Sequence, residues 1–223
     1  MPTDAKTEYS IFLDEALRIS SEAGERAMPY FRKPLDVISK DDDSPVTIAD
    51  RQTEKFIRQR LSERFPDCGI LGEEFGTVRG DSRMLWVVDP IDGTRAFIDG
   101  RDIWCVSIGV VEGEKPIAGV LECPALRERY WASAGGGAFK DDRRLSVAAS
   151  RPQPVVAAPP KAEPQLKKAF PQGYKRRGHI PSLAYRLAMV ADGALDATLV
   201  KPRSHDWDIA AAVVILNESG ARL

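Results

Sequence analysis

Apolar residues recur at helical spacing over residues 10–32. Ile11, Leu13, Ala16, Leu17, Ile19, Ala23, Met28 and Phe31 predict a long amphipathic helix that Pro34 helps to end. A short strand is expected at 35–39, then an acidic turn-rich loop, Asp41-Asp42-Asp43-Ser44-Pro45. A second helix is read over 47–65, with Ile48, Phe56, Ile57, Leu61 and Phe65 as its apolar side and Pro66-Asp67 closing it. Residues 68–72 form a short apolar segment running into Glu73-Glu74, and 84–89 read as a strand. Apolar runs at 103–111 and 116–121 flank Glu112-Gly113-Glu114-Lys115, a hairpin signal. Further antiparallel strands are expected at 129–133, 138–139 and 145–147, the first two joined by a turn at Gly135-Gly136-Gly137. Residues 151–173 are rich in Pro, Ala and Lys and read as a linker, or as a short strand at Val155-Val156-Ala157. Helices are expected at 182–192 and 206–219, followed by Gly193 and Gly220, with a short strand at 197–200 between them. The mixture predicts a layered α+β fold, and the composition shift near residue 150 divides it into lobes of 1–150 and 151–223.

Composition narrows the function more than the fold. At 223 residues, 43% hydrophobic and 29% charged, with net charge −1, no global field favours a nucleic acid polymer or an anionic membrane. No apolar run approaches the roughly 18 residues of a transmembrane helix, and the polar N-terminus lacks a secretory apolar core. Cys68, Cys105 and Cys123 are widely spaced and read as reduced core residues of a cytoplasmic protein. Only two histidines, His179 and His205, are present, which argues against a zinc cluster.

The candidate chemistry is acidic. In Trp86-Val87-Val88-Asp89-Pro90-Ile91-Asp92-Gly93-Thr94 an apolar run ends in two carboxylates three residues apart. Hard oxygen ligands at the end of a buried strand suit Mg²⁺, which takes one or two carboxylates plus water and substrate phosphate. Asp50, Glu73-Glu74 and Asp208 likewise lie at or beside the ends of apolar elements. Alone, each reads equally as a solvated or capping carboxylate. Asp92-Gly93-Thr94 admits two readings. It is either a phosphate cradle, with Gly93 allowing close approach and Thr94 opening a short helix, or a plain Asp-Gly turn with Thr94 as its cap.

Four ordered segments resemble the inositol monophosphatase superfamily. Asp89-Pro90-Ile91-Asp92-Gly93-Thr94 is similar to its D-P-[IL]-D-G-T signature, Gly72-Glu73-Glu74 to its G-E-E element, Pro45-Val46-Thr47-Ile48-Ala49-Asp50 to its V-T-x-x-D segment, and Trp207-Asp208-Ile209-Ala210-Ala211 to its W-D-x-A-[AG] helix start. The resemblance implies an α-β-α-β-α sandwich and Mg²⁺-dependent hydrolysis of a phosphate monoester. Two to three ions are implied. Glu73, Asp89 and the Ile91 carbonyl would hold the first, Asp89, Asp92 and Asp208 the second, and a weaker third would lie near Glu73. Glu74 and Asp50 would orient water and neighbouring groups, and Thr94 would hydrogen-bond the attacking water with Asp50 behind it. Phosphate binding would fall to Asp92, Gly93 and Thr94. Lys40 stands where the family has a lysine near the metals.

Substrate choice departs from the pattern. Leu199-Val200-Lys201-Pro202-Arg203 lacks the carboxylate that grips inositol hydroxyls, and Lys201 and Arg203 favour a second anionic group. Pro181-Ser182-Leu183-Ala184 replaces a G-[ST]-A-A-like segment at the sugar site. Ser182, Lys201, Arg203 and His205 are the expected substrate-binding residues. Inositol monophosphate is the default substrate, with 3′-phosphoadenosine 5′-phosphate and histidinol phosphate as alternatives. An inactive metal- or phosphate-binding regulator on the same fold is the rival of another class. The resemblance also implies homodimers, and a last strand and helix beyond Ser219-Gly220-Ala221. Were those deleted, an open sheet edge and lower stability would be expected.

Overall fold

The computed structural model describes residues 9–39, 45–147, 151–202 and 204–223. Helix α1 (Ser10–Ala27) ends sooner than its periodicity suggests, because Pro29 turns the chain into a 3-10 turn at Met28–Tyr30. Strands β1 (Val37–Ser39) and β2 (Pro45–Thr47) pair as a small hairpin. The loop expected at 41–45 lies, apart from Pro45, outside the described residues, as does Lys40. Helix α2 (Ile48–Arg64) starts one residue inside its predicted span, since Thr47 caps it.

An eight-stranded sheet follows. It contains β3 (Gly69–Gly72), β4 (Gly76–Val78), β5 (Met84–Asp92), β6 (Cys105–Glu112), β7 (Lys115–Cys123), β8 (Glu128–Ser133), β9 (Gly137–Lys140) and β10 (Arg143–Arg144). Helix α3 (Thr94–Ile98) interrupts between β5 and β6. The spatial order is β10-β9-β8-β7-β6-β5-β3-β4, and only β3 and β5 run parallel. The strand expected at 145–147 does not form. There Leu145 donates to the Ala138 carbonyl, but Val147 donates to Ser219 at the end of the last helix.

Alternation along the strands builds two cores on one sheet. Val106, Ile108 and Val110 of β6, with Ala118 and Val120 of β7, pack against α1 and α2. Cys105, Leu121 and Cys123 face the other way, toward α5 (Leu183–Ala191) and α6 (Asp206–Ser219). Beyond these lies a three-stranded parallel sheet ordered β12-β11-β13, from β11 (Val155–Ala157), β12 (Lys175–Arg176) and β13 (Ala197–Thr198). Helix α4 (Glu163–Ala169), unpredicted within the Pro-Ala-Lys stretch, places Leu166 against Val156 and Ala158. The layers therefore run α-β-α-β-α, as the resemblance implies.

Candidate metal and phosphate site

The parallel register of β3 and β5 sets Gly72 beside Val88. The next residues, Glu73 and Asp89, therefore emerge together at one end of the sheet, with the Glu73 N–H on the Val88 carbonyl at 3.2 Å. A regular strand would send Asp92 to the face opposite Asp89. Instead the pairing with β6 slips: Asp89 opposes Ser107 and Asp92 opposes Cys105, three residues against two. This bulge turns Ile91 into the α1–α2 core and returns Asp92 to the side of Asp89. Pro90, which has no N–H to pair, sits within the irregularity.

Asp208 comes from the far end of the chain. Gly109 and Gly119 lie opposite each other on β6 and β7, directly beneath α6. A Cβ on Gly119 would stand 2.6 Å from Ala211 Cα, and one on Gly109 would stand 3.0 Å from Ala210 Cβ and Ala211 N. Lacking side chains, the two glycines let α6 lie on the sheet itself. The Ser107 hydroxyl adds a 3.4 Å hydrogen bond to the Trp207 carbonyl. So seated, the third residue of α6 reaches the strand ends, and one carboxylate oxygen from each of Asp89, Asp92 and Asp208 lies within 4.8 Å of the others.

These acids are crowded and poorly solvated. Burial, reinforced by Glu73, Asp92 and Asp208, holds the Asp89 carboxyl well above the usual carboxylate range. Asp92 is pushed up to about 6 by burial, with Asp208 adding repulsion and hydrogen bonds from Ser182, Ala184 and Leu183 opposing. Asp208 is raised by burial and by Glu73, against the His205 N–H and the charges of His205 and Lys201. An all-oxygen set whose members raise one another's proton affinity is short of positive charge, and a hard divalent cation supplies it. The donor set therefore fits Mg²⁺. Ile91 keeps its N–H on Asp89 Oδ1 at 2.9 Å, and its carbonyl faces Thr94.

Thr94 and Asp50 meet as expected. Thr94 Oγ1 lies 3.1 Å from Asp50 Oδ1 and 3.1 Å from the Ile91 carbonyl, so its single hydroxyl proton has two acceptors. Asp50 is locked by a capping box in which Oδ2 accepts the Thr47 N–H at 2.8 Å and the Thr47 hydroxyl at 2.6 Å. Gly93, at φ 96°, makes the turn into α3, and a Cβ there would press on Ser182 at 3.0 Å. The cap expected at Thr94 falls instead on Gly93, which takes a left-handed turn without a side-chain cap, and Thr94 is the first residue of the short helix.

The residues expected to bind substrate separate. Ser182 is buried and caps α5, and its hydroxyl bonds Asp92 Oδ2, to which Ala184 N–H also donates at 2.7 Å. Lys201 is exposed, and its charge reaches Asp208 and His179. His205 is exposed and stacks on Trp207, 4.4 Å between ring centres. Arg203 lies outside the described residues. Glu74 is half-buried, with its N–H 2.7 Å from Glu54 Oε2.

Three participants escape sequence reasoning. Arg186, 5% exposed, donates to the Ile180 carbonyl at 3.2 Å and has its Nε without a hydrogen-bond partner; burial lowers its proton affinity and the charge of Asp92 opposes that. Burial holds the His179 imidazole below its ordinary value, and the charges of Arg186, Arg101, Lys201 and Arg176 add to that. Cys105 points its thiol at Asp92 Oδ2, 3.9 Å away. Glu54 is wholly buried beneath the Glu73-Glu74 turn. Only Glu54 left a trace in the sequence, a charge four residues after Asp50 and four before Arg58.

The sequence model of the inositol monophosphatase family matches residues 9–223. A histidinol-phosphatase of Chlorobaculum parvum is 38% identical over 220 residues, spanning 93% of this chain and 83% of the relative. A 3′(2′),5′-bisphosphate nucleotidase, CysQ, of Haemophilus influenzae is 29% identical over 93% of this chain and 81% of its own. Among solved structures, the extragenic suppressor protein suhB of Bartonella henselae superposes with a TM-score of 0.87 at 30% identity, covering 95% of this chain and 86% of that one.

Proposed function

The chain belongs to the inositol monophosphatase family of phosphoric monoester hydrolases, and we propose that it hydrolyses, with Mg²⁺, a small cytoplasmic metabolite that carries a second anionic group beside the scissile phosphate. The observation that carries the reading is the convergence of Asp89, Asp92 and Asp208 within 4.8 Å, each raised in pKa by burial and by neighbouring carboxylates, Glu73 among them. Two ions are assigned to Glu73, Asp89, the Ile91 carbonyl, Asp92 and Asp208, and a weaker third to the Glu73 side. Bound there, Mg²⁺ would acidify the nucleophilic water and draw charge from the phosphoryl oxygens. Thr94 orients that water through its hydroxyl, and Asp50 holds the hydroxyl in place. Glu74 orients water beside it. Gly93 admits the phosphate close to the backbone at the start of α3.

The second anion rests on electrostatics. The charge of Lys201 acts on Asp208, the charges of Arg186, Arg101, Lys201 and Arg176 act on His179, and Arg101 Nη2 donates to the His179 carbonyl at 3.1 Å. This concentration of positive charge suits a bisphosphorylated substrate better than inositol monophosphate, which the resemblance alone would set as default. Ser182, Arg203 and His205 complete the proposed substrate contacts, Ser182 through Asp92. The relative of 38% identity favours a second reading, histidinol phosphate, although its amine and imidazole would bring positive charge toward those cations.

One experiment separates these readings: phosphate release from inositol 1-phosphate, 3′-phosphoadenosine 5′-phosphate and histidinol phosphate, with Mg²⁺ and with EDTA. We expect activity to require Mg²⁺, to fall at least about 100-fold in Asp89→Asn, and to be greatest on the bisphosphate. Lys201→Ala should cost kcat/KM on the bisphosphate alone. Activity surviving EDTA or Asp89→Asn overturns the mechanism. Equal losses in Lys201→Ala on all substrates overturn the second-anion subsite.

A further inference from the structure

One face of α2 carries more than the Asp50 cap. Asp50, Glu54 and Arg58 follow at intervals of four residues and so lie in a row along the helix. Asp50 serves Thr94, while the two residues below it serve the turn between β3 and β4. Glu54 Oε2 accepts the Glu74 N–H at 2.7 Å, and Oε1 accepts the Phe75 N–H at 3.2 Å. Arg58 Nε pairs with Glu54 Oε1 at 2.7 Å, and its Nη2 reaches the Gly76 carbonyl. The Arg58 guanidinium also lies over the Phe75 ring, 5.9 Å from its centre.

The carboxylate is fully buried, which is costly unless every lone pair is used. As a stability device the pair has little to recommend it, since apolar residues of similar shape commonly do as well. Its geometry is what an apolar residue cannot reproduce: two acceptor oxygens taking two successive N–H groups of a turn. Gly72 bears the mark of this arrangement. A Cβ there would fall inside Glu54 Oε1 and stand 2.8 Å from Arg58 Nη2. The glycine of Gly72-Glu73-Glu74 is thus required by Glu54, not by its own backbone.

We propose that Glu54 is a positioning residue for the cation on the Glu73 side of the site. Glu73 is suspended between two anchors: its own N–H on β5, and the N–H groups of the next two residues on Glu54. Removing the second anchor lets the turn, and the Glu73 carboxylate with it, move relative to Asp89. This rests on the reading that Glu73 is a metal ligand. Both Glu54 oxygens are engaged by the turn N–H groups and Arg58, so its loss would act on metal affinity ahead of substrate binding.

The test is a Mg²⁺ titration of Glu54→Gln and Gly72→Ala, read by calorimetry and by the Mg²⁺ dependence of phosphate release. Both variants should raise the Mg²⁺ concentration at half-saturation roughly 10–100-fold, leaving substrate KM at saturating Mg²⁺ within about twofold. Should either fail to fold, Glu54→Gln/Arg58→Gln removes both charges together and carries the same expectation. Folded variants with wild-type Mg²⁺ binding overturn the role of Glu54, as does a raised KM with Mg²⁺ binding unchanged. A wild-type protein that binds Mg²⁺ but releases no phosphate from any substrate fails the proposed function alone. The calorimetric comparison then still decides the role of Glu54.

Discussion

Thr94 shows how much of the site depends on single atoms. Its hydroxyl lies 3.1 Å from both Asp50 and the Ile91 carbonyl, and it supplies no charge. Replacing it by valine keeps the shape and removes only the hydrogen bonds. In the proposed mechanism the hydroxyl, held by Asp50, positions the attacking water for proton transfer, a contribution worth about 10²–10⁴ in rate. Thr94→Val should therefore lower kcat by about that factor while leaving the Mg²⁺-induced rise in melting temperature intact. Loss of that thermal response would instead make Thr94 part of the metal shell. Asp92, like Thr94, takes its partners from other elements. Ser182 and the Leu183 and Ala184 N–H groups grip its two oxygens at the start of α5, using a helix N-terminus to hold a carboxylate.

Among the elements, α6 decides whether the site exists. Its seat is the pair Gly109 and Gly119, where the helix backbone presses on the sheet. A side chain on Gly119 must lift α6, and overpacking of this kind costs about 1–3 kcal/mol. Gly119→Val should lower the melting temperature and, because α6 carries Asp208, raise the Mg²⁺ needed for half-maximal activity. Gly178→Ala, where a Cβ meets nothing within 4 Å, should leave the melting temperature near wild type. An equal fall in both variants would refute the packing argument. Helix α2 is the counterpart on the other face, its row of Asp50, Glu54 and Arg58 holding two loops from beneath.

At the scale of the whole molecule, the acids lie where the two cores meet, at the ends of β3 and β5 and the start of α6. A cation bridging them joins elements more than 100 residues apart in the chain. The sign of the pH dependence follows from the raised carboxyls. Asp92 stands at about 6 in the fold against an ordinary 3.8, and Asp89 is raised well above that same value. In metal-free protein this contribution to stability is fully present below the ordinary value and is lost as pH rises through about 6. Bound at these acids, Mg²⁺ would reverse the loss. At 100 times its dissociation constant a ligand adds about 2.7 kcal/mol, or roughly 5–10 °C for a chain of this size. Melting curves should show that gain at pH 7.5, little of it at pH 4, and little at either pH in Asp208→Asn. A gain independent of pH would contradict the crowding of the acids. Most of the elements and the acidic residue types were legible in the sequence, because periodicity, caps and turn residues are local, whereas the five layers came only from the family resemblance. The predicted helices at 182–192 and 206–219 are present to within a residue at each end, and the Asp89–Thr94 stretch announced its oxygen chemistry. The strand at 145–147 was not legible, because Val147 takes its partner from α6. Nor were the bulge that realigns Asp92, the capping of Asp92 by α5, the glycine seam under α6, or Glu54 beneath its turn. Sequence alone determined which groups could bind a cation and which elements would carry them. Only the tertiary structure decided that those groups meet, because distances between residues remote in the chain are set by how helices and strands pack.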